Sequence, residues 1–184
     1  MSPHFMESDL ESVLFTEEQI RIRAKELADE ISRDYQGRDL VLISILKGGI
    51  IFLADLSRLL TIPHSYDMVG ASSYGARTSS SGHVIITKDV DVPLKDRDIL
   101  LIEDIYDSGN TLFVVRELLD VHTPRSVEIC AFLWKEKKER VREIPVKYIG
   151  FQIPDVFVVG YGLDYNQKYR NLPCIGILKK EMYT

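Results

Sequence analysis

Three short stretches constrain the fold most. Leu40-Val-Leu-Ile-Ser-Ile45, Ile99-Leu-Leu-Ile102 and Val127 to Leu133 are apolar at almost every position instead of at every second one. Alternation marks a strand with one wet face, whereas an unbroken apolar run marks a strand covered on both faces, as in a parallel sheet between helices. The segments between these runs carry helical spacing. Thr16-Glu-Glu-Gln19 has the spacing of a capping box, and Ile20, Ala24, Leu27, Ala28 and Ile31 then recur on one face. They predict an amphipathic helix ending near Gly37. Ile50 to Leu60 and Thr111 to Leu119 read as further helices, and His64 to Gly70 and His83 to Thr87 as further strands. Such alternation predicts an α/β fold, an open, mainly parallel twisted sheet flanked by helices, with functional loops beyond the carboxyl ends of the strands. The polar stretch from Ala71 to Gly82 is a candidate mobile loop. Val146 to Thr184, richer in Gly, Pro, Tyr and short strand-like runs, reads as a small hood over the sheet edge. The expectation is a single domain over residues 1–184, with a core of roughly 16–145 and a hood of mainly 146–184 with an N-terminal contribution.

Composition narrows the function classes. With 184 residues, 45% of them hydrophobic, the chain can bury the core of one domain. Its net charge of -5, with both signs interspersed, supplies no attraction toward nucleic acid or an anionic membrane. No run approaches the ~20 apolar residues that span a bilayer. Glu7, Asp9 and Glu11 stand where a secretory leader would carry basic and then apolar residues, and Met1 to Phe5 read as a frayed start. Cys130 and Cys174 form no C-x-x-C pair, so a reduced, cytoplasmic setting is expected. The four histidines, His4, His64, His83 and His122, are scattered and are assigned no chemistry.

The chemistry concentrates in Ile99-Leu-Leu-Ile-Glu-Asp-Ile-Tyr-Asp-Ser-Gly-Asn-Thr-Leu112. A buried strand runs into two adjacent acids, then a small hydroxyl-rich loop, then a helix. Ser108, Gly109, Asn110 and Thr111 place N–H groups and hydroxyls at a helix start, a ready site for a phosphate monoester, although no Walker lysine is present. Glu103 and Asp104 would repel that phosphate unless they accept hydrogen bonds from sugar hydroxyls or hold a hard cation. A ribose phosphate with magnesium meets both demands. A capped α/β turn with exposed acids is the plainer reading of Asp-Ser-Gly alone, and the full order from strand to helix argues against it.

This run resembles the ribose-phosphate signature of the type I phosphoribosyltransferases, and other segments from Leu40 to Ile177 resemble the hypoxanthine-guanine branch in the same chain order. The resemblance implies the family's fold and its reaction: transfer of the phosphoribosyl group of 5-phosphoribosyl 1-diphosphate to N9 of hypoxanthine or guanine, giving IMP or GMP and pyrophosphate, with Mg2+ as cofactor. It also assigns residues. Leu46-Lys-Gly-Gly49 resembles the pyrophosphate loop, with Lys47 and Gly48 facing the diphosphate across a strained, often cis, peptide. Ser72-Ser-Tyr-Gly75 resembles the start of the flexible loop, with Ser73 and Tyr74 near the pyrophosphate, and Arg170 matches an arginine used there. The 5'-phosphate falls to Asp107 through Thr111, the ribose hydroxyls to Glu103 and Asp104, and the metal to Glu103, Asp104 and Asp164. Lys135 would donate to the purine's exocyclic oxygen, which favours O6 over an adenine amino group. Phe157 would stack on the base, Val158 would offer main-chain hydrogen bonds, and Asp107 would be the catalytic group at N7.

Some readings stand apart from that pattern. Tyr106 and Trp134 depart from the residues usual in the branch and could reshape the base pocket. Lys137, Lys138, Arg140 and Arg142, alternating with Glu136, Glu139 and Glu143, read as a solvated helix face. Family habit implies a homodimer or homotetramer. A regulator that keeps the fold to sense nucleotides or bind RNA is the rival from another class, and the acidic charge and the lack of a basic or aromatic nucleic-acid surface argue against it. Among enzymes, Lys135 argues against an adenine-preferring transferase, while little separates a xanthine-preferring one.

Overall fold

The computed structural model describes residues 5–73, 84–137 and 139–183. In chain order its elements are β1 (Leu10–Phe15), α1 (Glu17–Asp34), β2 (Leu40–Leu46), α2 (Ile50–Leu59), β3 (His64–Ser73) and β4 (Val84–Lys88). They continue as β5 (Asp98–Tyr106), α3 (Asn110–Val121), β6 (Ser126–Lys135), β7 (Tyr148–Ile153), β8 (Val158–Val159) and β9 (Ile175–Leu178). The first helix starts where the capping box places it. The Gln19 N–H donates to the Thr16 hydroxyl at 3.3 Å, and the Gln19 side chain accepts the Thr16 N–H at 2.9 Å.

Among the described residues one sheet has six strands in the order β4-β3-β2-β5-β6-β7. All neighbours in it are parallel except β3 and β4. The unbroken apolar runs are explained by cover on both faces. Leu40 and Leu42 of β2 and Leu100 of β5 pack with Leu27, Ile31, Phe52 and Leu56 of α1 and α2. Val41, Ile43, Ile99 and Leu101 point the other way, against Leu112, Val115 and Leu119 of α3. Each such side chain, taken fully out of water, contributes about 1.5–3 kcal/mol before entropy is subtracted.

A second sheet of three antiparallel strands, β1-β9-β8, forms the hood. Leu10, Val159, Leu172 and Leu178 make its own small core. The N-terminal strand β1 was not expected from the sequence, because six residues with only Leu10 buried carry no clear period. The main sheet also reaches further along the chain than expected: β7 lies parallel to β6 at its edge, so the hood strands proper start at Val158. Likewise β3 runs through Ala71 and Ser72 to Ser73, where the sequence suggested a loop, because those residues pair with β4. Tyr74, the rest of the expected mobile loop, His83, Lys138, the first four residues and Thr184 lie outside the described residues.

One expectation is corrected outright. Residues 136–147 contain no helix among those described. Their charges are tied across the fold and not along a helix face: Lys137 pairs with Asp107, Arg140 lies over the Tyr106 and Trp134 rings, and Arg142 over Phe113. Alternating charge indicates a wet helix only where tertiary partners are lacking. No described helix is long and apolar enough to cross a membrane.

Candidate active site

Strands β2 and β5 are neighbours with Ser44 opposite Ile102, so the loops leaving their carboxyl ends lie side by side. The loop after β2 is pressed tightly into place. A Cβ on Gly48 would fall 1.7 Å from Asp104 Oδ2, and one on Gly162 would fall 2.1 Å from the Gly48 carbonyl. Only bare backbone fits between those walls. The Leu46–Lys47 peptide is cis, as the resemblance implied. Lys47 Nζ donates to Gln167 Oε1 at 3.2 Å, and Arg170 donates to the Gly162 carbonyl at 2.6 Å and pairs with Asp164 Oδ1 at 2.7 Å. Lys47, Gly48, Asp104, Asp164 and Arg170 therefore meet at one place, although 123 positions separate the first from the last.

The paired acids sit at the end of β5. Both residues keep some surface in contact with solvent, but the Glu103 Oε2 atom is buried with no hydrogen-bond partner. Burial pushes the Glu103 carboxyl well above the ordinary range, and the neighbouring Asp104 charge adds to the effect. Asp104 is pushed up to about 6, chiefly by burial; the Ile105 N–H at 2.9 Å and the Arg170 charge oppose that rise, while Asp164 adds to it. A buried carboxylate oxygen without a donor fits an incoming hydroxyl or a hard cation. Among the described residues no three or more His, Cys, Asp or Glu converge as a metal cage.

A testable consequence concerns stability. An acid whose folded pKa lies above its unfolded value binds protons more readily when folded, so stability increases as the pH falls through the folded value. For Asp104 the gain runs from about 6 down toward its ordinary 3.8, and above that window the charged pair opposes folding. Glu103→Gln should therefore raise the melting temperature of the ligand-free protein near neutral pH while impairing activity. A gain of ~1 kcal/mol would appear as about 2–4 °C in a chain of this size. An unchanged or lower melting temperature would contradict the assigned strain.

The next residues are those expected to hold an anion. Gly109 has φ 77°, a left-handed value, and a Cβ there would meet the Arg142 carbonyl at 2.0 Å. This turn ends β5 and starts α3 at once, with no side-chain cap on the helix. The Asn110 N–H donates to the Ser108 hydroxyl at 3.4 Å, so the turn sets the first N–H groups of α3 beside Ser108 and Thr111. Glu103, Asp107, Ser108, Gly109 and Thr111 line one cavity of about 170 Å³. Asn110 opens the helix. Tyr106 braces this loop from behind: its hydroxyl accepts the Ile144 N–H at 3.1 Å and donates to the Arg142 carbonyl at 3.3 Å. Trp134 lies alongside, its ring centroid 6.4 Å from that of Tyr106.

On the other side of the loop stands a charged cluster. Lys135 Nζ donates to Asp107 Oδ2 at 3.2 Å, and Lys137 Nζ lies 2.5 Å from Asp107 Oδ1. Asp155 is 3.6 Å from Lys135 and 3.9 Å from Lys137. Burial works to raise the Asp107 pKa, but the two ammonium groups outweigh it and hold the carboxyl below its ordinary value. Phe157, two residues beyond Asp155, is 38% exposed despite its size. Tyr183 stacks on it at 4.9 Å and Tyr165 meets it edge-on at 5.8 Å, so the ring is held in place while much of it stays open. Val158 is buried in β8, an edge strand that pairs only with β9 in its sheet. For Ser73 the structure describes the backbone in β3, opposite Val84. Lys137, expected on a solvated helix face, instead meets Asp107, while Asp155 and Tyr183 were not singled out by sequence reasoning.

These features bring the acids, the glycine turn, the lysines and Phe157 to the loops beyond the main sheet, and comparison with known proteins shows the family. The model of the phosphoribosyl transferase domain family matches residues 13–166, and the chain belongs to that family. A hypoxanthine phosphoribosyltransferase of Salmonella typhimurium is 45% identical over 166 residues, 89% of this chain and 93% of the relative. A hypoxanthine-guanine phosphoribosyltransferase of Mycobacterium tuberculosis is 44% identical over 181 residues, 95% of this chain and 89% of the relative. The crystal structure of a hypoxanthine phosphoribosyltransferase from Staphylococcus aureus superposes with a TM-score of 0.94 at 44% identity, each chain covered in full. The branch of the family is the hypoxanthine-guanine one.

Proposed function

We propose that the protein transfers the phosphoribosyl group of 5-phosphoribosyl 1-diphosphate to N9 of hypoxanthine or guanine, releasing pyrophosphate and giving IMP or GMP. The observation that supports this reading most is the Lys135–Asp107 pair, 3.2 Å apart, with Asp155 3.6 Å from Lys135 and the exposed Phe157 two residues further along the chain. A donor and an acceptor so placed match the O6 and the N7–H of a 6-oxopurine. The 5'-phosphate lies in the loop from Asp107 to Thr111, on the helix-start N–H groups and the Ser108 and Thr111 hydroxyls. Glu103 and Asp104 accept the ribose hydroxyls. The Lys47-Gly48 backbone and Arg170 hold the diphosphate, joined by Ser73 and Tyr74.

Glu103, Asp104 and Asp164 would hold magnesium, which when bound neutralises charge on the departing diphosphate. As the bond from C1' to the diphosphate oxygen breaks, positive charge grows on the ribose, and the nearby carboxylates stabilise it. Asp107 takes the N7 proton as the N9 electron pair forms the new bond to C1'. Phe157 stacks on the purine, and the Val158 main chain meets its edge. The same reading places the enzyme in the cytoplasm as a homodimer or homotetramer, with no nucleic acid or membrane partner.

The test mixes protein, magnesium and the ribose diphosphate with hypoxanthine, guanine, xanthine or adenine separately and follows nucleotide absorbance. Turnover with hypoxanthine and guanine and none with adenine is expected, and turnover with adenine alone would refute the assignment. Lys135→Met should lower kcat/KM for hypoxanthine by about tenfold, the low end for one hydrogen bond to a charged donor, ~1.5 kcal/mol. Unaltered selectivity among the four bases would remove the O6 contact.

A further inference from the structure

We propose that Lys137 is a positioning residue that fixes one oxygen of Asp107, so that the other stays available to the purine while Lys135 turns to the base oxygen. This rests on the roles given above to Asp107 and Lys135. The geometry divides the carboxylate between two cations. Oδ1 lies 2.5 Å from Lys137 and Oδ2 lies 3.2 Å from Lys135, so each oxygen has its own ammonium partner. Lys135 cannot serve both purposes unaided. Once it points a proton at the base oxygen, its hold on Oδ2 weakens, and that is the oxygen freed to meet N7–H. A carboxylate gripped only by Lys135 would lose its anchor at the moment the base arrives, whereas the grip on Oδ1 does not depend on the base. Asp155 completes the arrangement as a second anion within 3.6 Å and 3.9 Å of the two lysines. It offsets the repulsion between them.

The charged surroundings of Asp107 leave the lysines as its cationic partners among the described groups. Glu103, from β5, lines the same cavity and is an acid, so it offers Asp107 no cation. Arg140, from the segment after β6, is committed to the Tyr106 and Trp134 rings and the Lys135 carbonyl. Arg142 lies over Phe113. Burial alone would raise the Asp107 pKa, so removing Lys137 should let it climb.

The experiment titrates the Asp107 carboxyl by ¹³C NMR, assigned by the signal lost in Asp107→Asn, in the unaltered protein, Lys137→Ala and Lys137→Arg. The midpoint should rise by about one pH unit or more in Lys137→Ala and return toward the original in Lys137→Arg. In assays with hypoxanthine, the acid limb of the kcat/KM profile should move to higher pH by the same amount, with the KM for the ribose diphosphate unchanged. A midpoint in Lys137→Ala equal to that of the unaltered protein, or no recovery in Lys137→Arg, would overturn the proposal. The titration decides this even if the unaltered protein forms no nucleotide, an outcome that would refute the proposed function instead.

Discussion

Asp107→Asn should lower turnover by about 10²–10⁴-fold, the range expected when a positioned acid-base group is lost. Binding of the ribose diphosphate should stay near that of the unaltered protein. The asparagine keeps the shape of the side chain and one carbonyl oxygen, so the backbone of the anion loop has no reason to move. What disappears is the charge that accepts a proton from N7 and the ion pairs with Lys135 and Lys137. Those two ammonium groups then face an amide and no longer a carboxylate, and their repulsion adds to the loss. Because the Asp107 side chain is 40% exposed, the melting temperature should change little. Steady-state kinetics with hypoxanthine, together with calorimetric titration of the ribose diphosphate, separate the two effects. Turnover within a few-fold of the original would remove Asp107 from the chemistry.

Gly48→Ala should act on the other substrate. Its Cβ would stand 1.7 Å from Asp104 Oδ2 and 2.6 Å from Asp104 Cγ, closer than any non-bonded contact allows. Either the acid swings away from the proposed ribose site or the Lys47-Gly48 backbone lifts from the proposed diphosphate site, and the close approach of Gly162 to the Gly48 carbonyl leaves little room for the latter. A misplacement of about 1 Å at such a point can cost ~10²-fold. The loss should fall on kcat/KM for the ribose diphosphate, with selectivity among purines retained because Lys135 and Phe157 are untouched. A Gly48→Ala enzyme with ordinary kcat/KM would mean that this loop does not meet the diphosphate.

Much of the fold could be read from local chemistry. The capping box at Thr16 and Gln19 set the start of α1, and the runs in β2, β5 and β6 were apolar throughout because helices cover both faces. The strand, turn and helix proposed to hold the 5'-phosphate were legible for a related reason: strand, acids, glycine turn and helix lie within fourteen consecutive residues, so sequence order already implies spatial order. Elements that owe their existence to distant partners were not. Strand β1 exists because β9, 160 or more positions away, lies beside it. β7 is an edge strand whose Phe151 stacks on Phe15 at 3.9 Å, a contact that no local pattern announces.

The charged run after Lys135 shows the same limit within the site. Alternating Lys, Arg and Glu have helical spacing when counted along the chain. Their conformation is set instead by what they meet: Asp107 for Lys137, two aromatic rings for Arg140. Sequence spacing reports intrinsic preference, and here tertiary ion pairs and cation–π contacts override it. Tyr106 belongs to this class too, since its ring anchors the returning segment at Arg142 and Ile144 through two hydrogen bonds.

The most direct test is a crystal structure with IMP and magnesium pyrophosphate bound. The phosphate should sit on the N–H groups of the turn at Ser108 to Thr111, the ribose hydroxyls against Glu103 and Asp104, and the base on Phe157 with Lys135 at O6. A phosphate found elsewhere, or a purine out of reach of both Phe157 and Lys135, would contradict it.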